Sequence, residues 1–369
     1  MDILVTGAEG FVGKNLVLRL RESPHFIIST YSRGDSFETL KKLLTKADAV
    51  IHLAGENRPI DEEYFNIGNT LLTNQICDFI KQNKKEVLFF MASSTQASHD
   101  NPYGKSKLAA EKNIEKLNKE TQNPVVICRL PGIFGKWCKP NYNSVVATFC
   151  YNIANELPIK IEDPSKKLRL VYIDNVIDAI LNILNKPFSK NIVRLTINPE
   201  YSVTVGELSQ HIIDFKKSRM SLITGRVGIG FLRALYSTYI SYLPAEEFKY
   251  SLTPHEDKRG RFVEMLKTKD SGQLSYFTAN PGVTRGGHYH HTKTEKFLVI
   301  KGIAQFRFKH ALNHDSFKIE ASGEVPCVVE TIPGWSHDIT NIGDDELIVM
   351  LWANENFDIN KPDTILSEL

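Results

Sequence analysis

Two groups of residues with the chemistry of active sites lie far apart in this chain of 369 residues. In the first, Tyr103 and Lys107 are spaced one helical turn apart. A tyrosine can protonate a ketone oxygen while hydride arrives at carbon, and a neighbouring ammonium lowers the tyrosine pKa. The second group consists of metal-ligand residue types near the C-terminus: His288, His290, Glu295 and His337. The first group indicates hydride transfer and the second a metal site, so we expect two steps on one substrate.

A glycine-rich segment precedes the Tyr-Lys pair and would hold a nucleotide cofactor. Ile3-Leu4-Val5 predicts a buried parallel strand, and residues 14–22 predict a helix. Between them, Gly7 permits a tight turn, Gly10 lets the backbone approach a pyrophosphate, and Gly13 allows close packing of helix and strand. The N–H groups at the start of the helix then face the phosphates. A chance glycine-rich turn is the competing interpretation, which the position directly after a strand makes less favourable.

Further apolar runs alternate with helical patterns through the first half of the chain. The runs are 26–31, 49–55, 87–91 and 125–130, and the helical patterns include 70–82 and 105–117. This alternation predicts an α/β fold with a Rossmann-like, doubly wound parallel sheet that binds ligands at the carboxyl ends of its strands. Ser94 and Thr95 follow one such strand. Either hydroxyl would polarise the ketone that Tyr103 protonates.

The end of the second strand bears on the choice between NADPH and NADH. Tyr31-Ser32-Arg33 contains no acidic residue for a ribose 2′-hydroxyl, and Arg33 is available for a 2′-phosphate, so the sequence favours NADPH. Asp35 keeps NADH open, and Arg33 could be an ordinary solvated charge. The predicted cofactor-binding residues are Gly7, Gly10, Phe11, Val12, Gly13, Ser32, Arg33, Leu53, Ala54, Gly55 and Lys107.

Residues 1–243 resemble an extended short-chain dehydrogenase/reductase of the nucleotide-sugar type. The matching motifs are Gly7-x-x-Gly10-x-x-Gly13, His52-Leu53-Ala54-Gly55, Ser93-Ser94-Thr95, Tyr103-x-x-x-Lys107 and Arg129-Leu130-Pro131-Gly132-Ile133-Phe134-Gly135. The resemblance implies that Thr95 is the catalytic hydroxyl and that a small lobe containing Arg169 and Val171-Tyr172-Ile173-Asp174 binds the nucleotide sugar. The stretch between Gly7 and Ala49 is short, so the family's third strand and its adenine-contacting Asp are expected to be absent or reduced.

The pattern changes after Leu243-Pro244. Short alternating stretches with turn signals, such as 273–278, 296–301, 304–309 and 346–352, predict an all-β sandwich or barrel. His288 and His290 share one face of a strand, and Glu295 begins the next. With His337 from a later strand, they would form a divalent metal site with room for a substrate oxygen. Ordinary surface histidines are the competing interpretation, since His291 also lies there.

Residues 244–369 resemble the cupin superfamily through Gly282-x5-His288-x-His290-x4-Glu295-x6-Gly302 and Gly334-x-x-His337-x-x-x-Asn341. The second motif departs from the family because Pro333 directly precedes Gly334. The segment 253–264 also resembles the opening of cupins that epimerise nucleotide sugars. This resemblance implies a divalent metal, zinc foremost, and proton exchange next to a ketone, with His290 and Glu295 as candidate bases.

A reductase followed by a cupin resembles the bifunctional nucleotide-sugar enzymes of capsular polysaccharide and O-antigen synthesis. The resemblance implies a UDP-linked 4-keto-6-deoxy-N-acetylhexosamine as substrate. The cupin would invert C3, and the reductase would then reduce C4 with NADPH. The product would be of the UDP-2-acetamido-2,6-dideoxy-L-talose type, on the route to UDP-N-acetyl-L-fucosamine. Both families commonly form homodimers, so we expect one here.

Three alternatives stay open. The N-terminal part could be a dehydratase or 4-epimerase, although Gln96-Ala97 stands where dehydratases carry Asp-Glu. The cupin could be a non-catalytic module for sugar binding or dimerisation. The whole chain could be a redox-sensing regulator, although an intact set of Thr95, Tyr103 and Lys107 speaks for catalysis.

The amino-acid composition further narrows the functional classes to which the protein could belong. The chain is 42% hydrophobic and 24% charged with a net charge of +2, which gives no electrostatic case for nucleic acid or an anionic membrane. We see no signal peptide, and no apolar run reaches the roughly 18 residues of a membrane helix. The five cysteines form no CxxC pair, which favours reduced thiols in a cytoplasmic protein.

Overall fold

The computed structural model describes the chain except for residues 60, 189, 253–254, 258–259, 263–265, 269–271, 314 and 356–359. The chain divides into two compact units, and each is discontinuous. The first comprises Met1–Ile133 and Leu168–Ser202, and the second comprises Phe134–Lys167 and Val203–Leu369. The boundary predicted at Leu243-Pro244 separates the residues expected for reduction from those expected for metal binding. It is not one of the junctions between the two units and stays a prediction.

The first unit contains a six-stranded parallel sheet. In spatial order its strands are Ile27–Tyr31, Asp2–Thr6, Ala49–His52, Leu88–Ser94, Val125–Leu130 and Ile192–Leu195. Its helices are Phe11–Arg21, Phe37–Lys46, Glu63–Phe65, Leu72–Gln82, Pro102–Thr121 and Ile173–Leu184, with a π-helix at Asn66–Leu71 and a 3₁₀-helix at Thr95–Ser98. The predicted α/β fold is confirmed.

Apolar residues of the central strands explain why the sheet is covered by helices. Leu4, Val50 and Phe89 are fully buried in one core with Ile76 and Ile114 of the covering helices. Strands that are apolar on both faces need helices on both faces, as in doubly wound folds. Helix Phe11–Arg21 packs with Ile173–Leu184, away from the core that contains the other three long helices.

The topology shows the expected shortening. Strand Ala49–His52 pairs directly with Asp2–Thr6, and Ile27–Tyr31 is the edge strand beside it. A doubly wound dinucleotide fold normally has a third strand outside the second. The described residues 1–59 contain no such strand, so the sheet has one strand fewer on the side where the cofactor is expected to bind.

The second unit contains two five-stranded antiparallel sheets. One has the spatial order Lys249–Ser251, Cys327–Glu330, Glu295–Lys301, Leu347–Ala353 and Gln273–Ala279. The other has the order Ser316–Ser322, Ile303–His310, Trp335–Asn341, Thr284–Tyr289 and Ile365–Leu366. Phe297 and Phe306 place their ring centroids 5.8 Å apart, which joins the two sheets through a buried aromatic contact. The predicted all-β part is confirmed.

Helices also belong to the second unit: Val145–Ala154, Val205–Ser221, Gly230–Ile240 and a 3₁₀-helix at Ala245–Phe248. The segment between Val205 and Ile240 thus contains two helices. Leu222 ends the first of them because its φ of 59° is left-handed. A short strand at Ile223–Thr224 follows and pairs with Lys267–Thr268.

The remaining strands form small sheets. Gly132–Phe134, Lys167–Tyr172 and Glu200–Thr204 make a three-stranded sheet, and His255–Asp257 pairs with Gly260–Phe262. In the segment 253–264 that resembles epimerase cupins, residues 253–254, 258–259 and 263–264 lie outside the described residues. No helix in the described part of the chain is both long and apolar enough to cross a membrane. All five cysteines are unpaired.

Candidate functional site

The glycine-rich loop is closely packed against its own backbone and against the third strand's end. Gly7 has a φ of +70°, and a Cβ there would lie 2.7 Å from the Ala54 nitrogen. A Cβ on Gly13 would lie 2.2 Å from the Gly7 carbonyl oxygen. Both positions therefore require glycine. Helix Phe11–Arg21 begins at the N-cap Gly10, so its first N–H groups face the loop.

A cavity of about 360 Å³ lies beside this loop. Its lining residues are Gly7, Glu9, Gly10, Tyr31, Ser32, Arg33, Gly34, Ala54, Gly55, Glu56, Gly68 and Leu72. Six predicted cofactor residues are thereby brought together: Gly7, Gly10, Ser32, Arg33, Ala54 and Gly55. Phe11, Val12, Gly13, Leu53 and Lys107 do not line it, and their cofactor contacts stay predictions. A carboxyl-end cavity of this kind suits a dinucleotide.

Arg33 makes an ion pair that sequence reasoning missed. Its guanidinium contacts the carboxylate of Glu56, while the Arg33 side chain stays 84% exposed. Asp35 accepts a hydrogen bond from the Ser32 backbone nitrogen at 2.8 Å. Asp35 is thus engaged by its own turn, and Arg33 projects into the solvent at the cavity's edge. This arrangement leaves the guanidinium accessible to a second anion.

A buried histidine ties the loop to the helix behind it. Thr6 Oγ1 lies 2.7 Å from His52 Nδ1, and His52 Nε2 lies 2.9 Å from Thr73 Oγ1. Because the Thr73 hydroxyl donates its proton to the Asn69 carbonyl, it must accept from His52 Nε2–H. Burial, with the nearby charge of Lys107, lowers the pKa of His52 to about 3. His52 is therefore a neutral structural link, with its tautomer assigned from the hydrogen bonds.

Asn69 connects Glu56, which lines the cavity, to helix Pro102–Thr121. Its side-chain oxygen accepts from the Glu56 nitrogen at 3.0 Å, and its amide donates to the Ser106 hydroxyl at 3.0 Å. Asn69 lies in the π-helix, a feature that often marks functional positions. A Cβ on Gly55 would lie 2.5 Å from Asn69 Oδ1 and 3.0 Å from Lys107 Nζ. Gly55 therefore allows the lysine to approach the loop.

Helix Pro102–Thr121 begins at a well-defined N-cap, which places Tyr103 in its first turn. Pro102 stands at the start of Pro102–Thr121, and the Asn101 side chain accepts from the Gly104 nitrogen at 2.8 Å. A Cβ on Gly104 would lie 2.2 Å from the Gln96 carbonyl oxygen. Gly104 thus lets the helix start pack tightly on the 3₁₀-turn Thr95–Ser98, which carries the strand-end hydroxyls.

The structure brings Ser94, Tyr103 and Lys107 together. The Ser94 hydroxyl hydrogen-bonds to the half-buried Tyr103, and Lys107 Nζ donates to the Ala92 carbonyl at 3.2 Å. Thr95 opens the 3₁₀-turn and is half-buried. Its family-implied catalytic role stays a prediction, whereas Ser94 is the hydroxyl in contact with Tyr103.

Protonation of the pair differs from the sequence-based expectation. Burial lowers the pKa of Lys107 to about 8, and the charge of Glu111 opposes that lowering. Burial raises the pKa of Tyr103, and its Ser94 hydrogen bond lowers it only in part. The pKa of Tyr103 is therefore raised overall and not lowered as expected, and burial is the largest cause of the shift in both groups.

Glu111 organises the surroundings of the pair and was missed from the sequence. It lies one turn after Lys107, is 1% exposed, and accepts 2.9 Å and 2.6 Å hydrogen bonds from Arg129 Nε and Nη2. The Ser93 hydroxyl donates to it at 2.5 Å, and Arg129 also reaches Ser98 at 2.9 Å. This buried carboxylate therefore joins helix Pro102–Thr121 to the strands Leu88–Ser94 and Val125–Leu130. The spacing Tyr103-x-x-x-Lys107-x-x-x-Glu111 was the available signal.

The predicted sugar-lobe residues lie on one strand–helix junction. Arg169 belongs to strand Lys167–Tyr172 and makes two hydrogen bonds with Glu200, at 2.5 Å and 2.9 Å. Ile173 and Asp174 begin the helix Ile173–Leu184. Arg169 is exposed at 65%, so it remains accessible despite its ion pair. Its role in binding a nucleotide sugar stays a prediction.

The four metal-ligand candidates of the second unit converge as the sequence predicts, and we call them the His/Glu cluster: His288, His290, Glu295 and His337. His288 and His337 are cross-strand partners in one sheet, and Glu295 begins a strand of the other. A ligand atom from each lies within 4.8 Å of the others. Glu295 Oε2 is 3.1 Å from His290 Nε2 and 3.3 Å from His337 Nε2.

The donor set fits a divalent metal ion. Three imidazoles and one carboxylate match the ligands of zinc and similar ions. Burial lowers the pKa of His288 to about 3 and also lowers that of His337, which favours the neutral imidazoles a metal needs. Burial alone would raise the pKa of Glu295, but His290 and His337 hold it well below its usual range. A buried, ionised carboxylate beside three imidazoles suits a cation.

The departure of the second motif does not displace His337. Gly334 has a φ of +82°, and a Cβ there would lie 2.5 Å from the Trp137 ring. The Trp137 indole nitrogen also donates to His310 Nε2 at 3.0 Å. The Pro-Gly turn therefore packs against Trp137, and strand Trp335–Asn341 continues from it to place His337 in the cluster.

Comparison with known proteins agrees with this arrangement. Residues 3–196 match the model of the NAD dependent epimerase/dehydratase family, and residues 255–365 match the polysaccharide biosynthesis C-terminal domain. The UDP-2-acetamido-2,6-beta-L-arabino-hexul-4-ose reductase of Pseudomonas aeruginosa is 51% identical over 364 residues, covering 99% of this chain and 98% of that protein.

Solved structures resemble the chain over all or part of its length. The capsular polysaccharide assembling protein CapF from Staphylococcus aureus is 42% identical, with a TM-score of 0.68 and full coverage of both chains. A UDP-glucuronic acid 4-epimerase from Bacillus cereus in complex with NAD is 19% identical, with a TM-score of 0.52 over 58% of this chain and 84% of that one, and shows the fold alone. The chain therefore belongs to the NAD dependent epimerase/dehydratase family and is built like CapF, with a polysaccharide biosynthesis domain at its C-terminal end.

Proposed function

We propose that this chain is a bifunctional UDP-sugar enzyme that inverts C3 of a UDP-2-acetamido-2,6-dideoxy-4-hexulose and then reduces its C4 ketone with NADPH. The observation that supports the reductase activity is that Ser94 hydrogen-bonds to Tyr103 while Lys107, one turn later on the same helix, approaches Gly55 of the glycine-loop cavity. The Pseudomonas aeruginosa relative is named as the reductase of such a UDP-4-keto sugar, which supports the same substrate class. The product would be of the UDP-2-acetamido-2,6-dideoxy-L-talose type.

In the reductive step, each residue of the N-terminal site has a separate task. The ketone oxygen would accept hydrogen bonds from Ser94 and Tyr103 while C4 receives hydride from NADPH. Tyr103 then gives its proton to the oxygen, so the ketone becomes an alcohol and NADPH becomes NADP⁺. The ammonium of Lys107 stabilises the resulting phenolate until a solvent proton replaces the one that was lost.

Preference for NADPH is supported by the cavity's edge. Arg33 lines the cavity with its guanidinium exposed, and no acidic side chain follows strand Ile27–Tyr31 directly. A 2′-phosphate would compete with Glu56 for the guanidinium, and it carries more negative charge than the carboxylate. Asp35 is held by the Ser32 nitrogen and is less available to a ribose hydroxyl.

The epimerisation is assigned to the His/Glu cluster. The C4 ketone acidifies the C3–H because the resulting anion is an enolate, so a base on one face and an acid on the other would invert C3. His290 and Glu295, whose nitrogen and oxygen are 3.1 Å apart, are the candidates for the base on one face, and the proton returned on the other face would come from solvent. In the alternative arrangement, a divalent ion, zinc foremost, held by all four residues of this cluster would act as a Lewis acid on the ketone oxygen. Reduction afterwards removes the ketone and fixes the new configuration.

The decisive experiment is incubation with the UDP-4-keto sugar in D₂O, with and without NADPH, followed by NMR. We expect deuterium at C3 without NADPH and a C4 alcohol only with it. Tyr103→Phe should keep the exchange and lose the alcohol, whereas Glu295→Gln should lose the exchange. Undiminished exchange in Glu295→Gln and His290→Gln would support the alternative, a non-catalytic sugar-binding or dimerisation module. The homodimer implied by the resemblance is tested separately by sedimentation.

A further inference from the structure

We propose that Asp363 is a positioning residue for the His/Glu cluster, acting through its carboxylate on residues 291–293 and through its backbone carbonyl on His290. The proposal rests on the proposed metal-binding role of the cluster. Asp363 precedes the short strand Ile365–Leu366 and was not singled out by any sequence motif.

The Asp363 carboxylate holds the segment between two cluster members. Oδ1 accepts from the His291 nitrogen at 2.8 Å, and Oδ2 accepts from the Thr292 and Lys293 nitrogens at 2.7 Å each. The Thr292 hydroxyl donates to Oδ2 at 2.9 Å. Hydrogen bonds to an ionised acceptor are among the strong ones in proteins. Four of them order the turn that leads from His290 to Glu295.

The Asp363 carbonyl sets the state of the His290 ring. It accepts a hydrogen bond from His290 Nδ1, and a carbonyl cannot donate, so the proton must reside on Nδ1. Nε2 then faces Glu295 Oε2 at 3.1 Å, where the ligand atoms meet. Partners of this kind fix the tautomer and orientation of metal-binding histidines in general.

Neighbouring contacts extend the restraint to the other ligands. Ile365–Leu366 pairs with strand Thr284–Tyr289, where Leu366 lies opposite His288. The Ser367 nitrogen donates to the Gly287 carbonyl at 2.9 Å, and the Ser336 hydroxyl donates to the Ser367 hydroxyl at 2.8 Å. One short segment of chain therefore contacts the surroundings of His288, His290 and His337.

The segment 291–293 is also held from its other side. The Ser237 hydroxyl donates to the Thr292 carbonyl at 2.5 Å, and Arg233 contacts both the Thr292 hydroxyl and the Glu355 carboxylate. These contacts come from helix Gly230–Ile240 and do not reach His290. The Asp363 contacts reach both the segment and the His290 ring.

The first test measures the ring directly in the full-length protein without added metal. Long-range ¹H–¹⁵N NMR of histidine-labelled protein should show a proton on His290 Nδ1. In Asp363→Asn, which loses the charge that orders the segment, we expect the occupancy of this Nδ1 proton to fall. A His290 ring without a proton on Nδ1 in the unsubstituted protein, or an unchanged Nδ1 proton in the variant, overturns the proposal.

The second test measures metal binding with Co²⁺ by visible spectroscopy and chelator competition. Asp363→Asn should bind Co²⁺ about 10- to 100-fold more weakly, the usual effect of removing such a partner. Asp315→Asn is the matched control, because Asp315 is exposed and its carboxylate accepts a hydrogen bond from the nearby Asn313 at 2.7 Å. Urea unfolding in EDTA for both variants separates loss of affinity from loss of the fold.

If Asp363→Asn does not fold, Thr292→Val carries both tests, since it removes one hydrogen bond to the carboxylate. An unchanged Co²⁺ dissociation constant in every folded variant overturns the positioning role. If the protein binds no Co²⁺, the proposed metal site is contradicted. If His290 nevertheless carries an Nδ1 proton that is lost in Asp363→Asn, the role of Asp363 is supported. The two proposals therefore fail separately.

Discussion

Lys107 should destabilise the folded protein at neutral pH, although its proposed role in reduction requires it. Its side chain is 7% exposed, and burial lowers its pKa from 10.5 to about 8. A group whose pKa is lower in the folded state than in the unfolded state opposes folding wherever it must carry its charge. Replacing Lys107 with the uncharged, similarly long methionine should therefore stabilise the fold while abolishing reduction.

The magnitude follows from the pKa difference. A lowering from 10.5 to about 8 corresponds to about 3 kcal/mol of destabilisation at pH 7. Methionine also loses the hydrogen bond to the Ala92 carbonyl, which contributes about 1 kcal/mol. We therefore expect Lys107→Met to raise the free energy of unfolding by about 2 kcal/mol at pH 7.

The pH dependence gives the sign of the effect independently. Between pH 8 and 10.5 the unfolded lysine still holds its proton while the folded one has lost it, so the stability of the unsubstituted protein rises with pH. The methionine variant lacks this term. Its advantage should be full below pH 8 and should vanish towards pH 10.5.

Urea unfolding can follow the two units with different signals. The three tryptophans, Trp137, Trp335 and Trp352, all belong to the second unit, whereas far-UV circular dichroism also reports the first. Lys112→Met, on the exposed side of the same helix, is the matched control and should change stability by less than about 0.5 kcal/mol. A methionine variant that is less stable than the unsubstituted protein at pH 7, or a difference that stays constant up to pH 10, would refute the reasoning.

Three further predictions concern the N-terminal site. Tyr103→Phe should lower the kcat of NADPH oxidation by about 10²-fold or more with little change in the NADPH dissociation constant, measured by stopped-flow and fluorescence titration; an equal loss of cofactor binding would contradict this. Ser94→Ala should lower kcat by about 10²-fold and Thr95→Ala by much less, because Ser94 is the hydroxyl that contacts Tyr103; the reverse order would favour Thr95. Arg33→Ala should weaken NADPH binding by about tenfold and leave NADH binding nearly unchanged, and equal losses for both cofactors would show that Arg33 does not read the 2′-phosphate.

The sequence was most informative where chemistry depends on local spacing. The glycine loop, the Tyr103–Lys107 pair and the His288–His290–Glu295 spacing each lie within one turn or one hairpin, so their geometry follows from the element that contains them. The missing third strand was likewise visible as a short stretch before Ala49. His337 could be included because its strand pairs directly with that of His288.

Partners distant in sequence were not predictable in the same way. Glu111 meets Arg129 only because two parallel strands and a helix are brought together, and Asp363 reaches residue 291 across 72 positions. The Tyr103 pKa was misjudged for a related reason. A sequence shows the proximity of a lysine but not the burial, which here has the larger effect on both groups.

The chain passes between its two compact units three times, after Ile133, after Lys167 and after Ser202. A single protease cut at any one of these junctions would leave the units joined by the other two. Truncation at residue 202 would keep the first unit whole but leave 134–167 without the rest of its own unit. A split of the chain at any single point would therefore not leave both compact units whole.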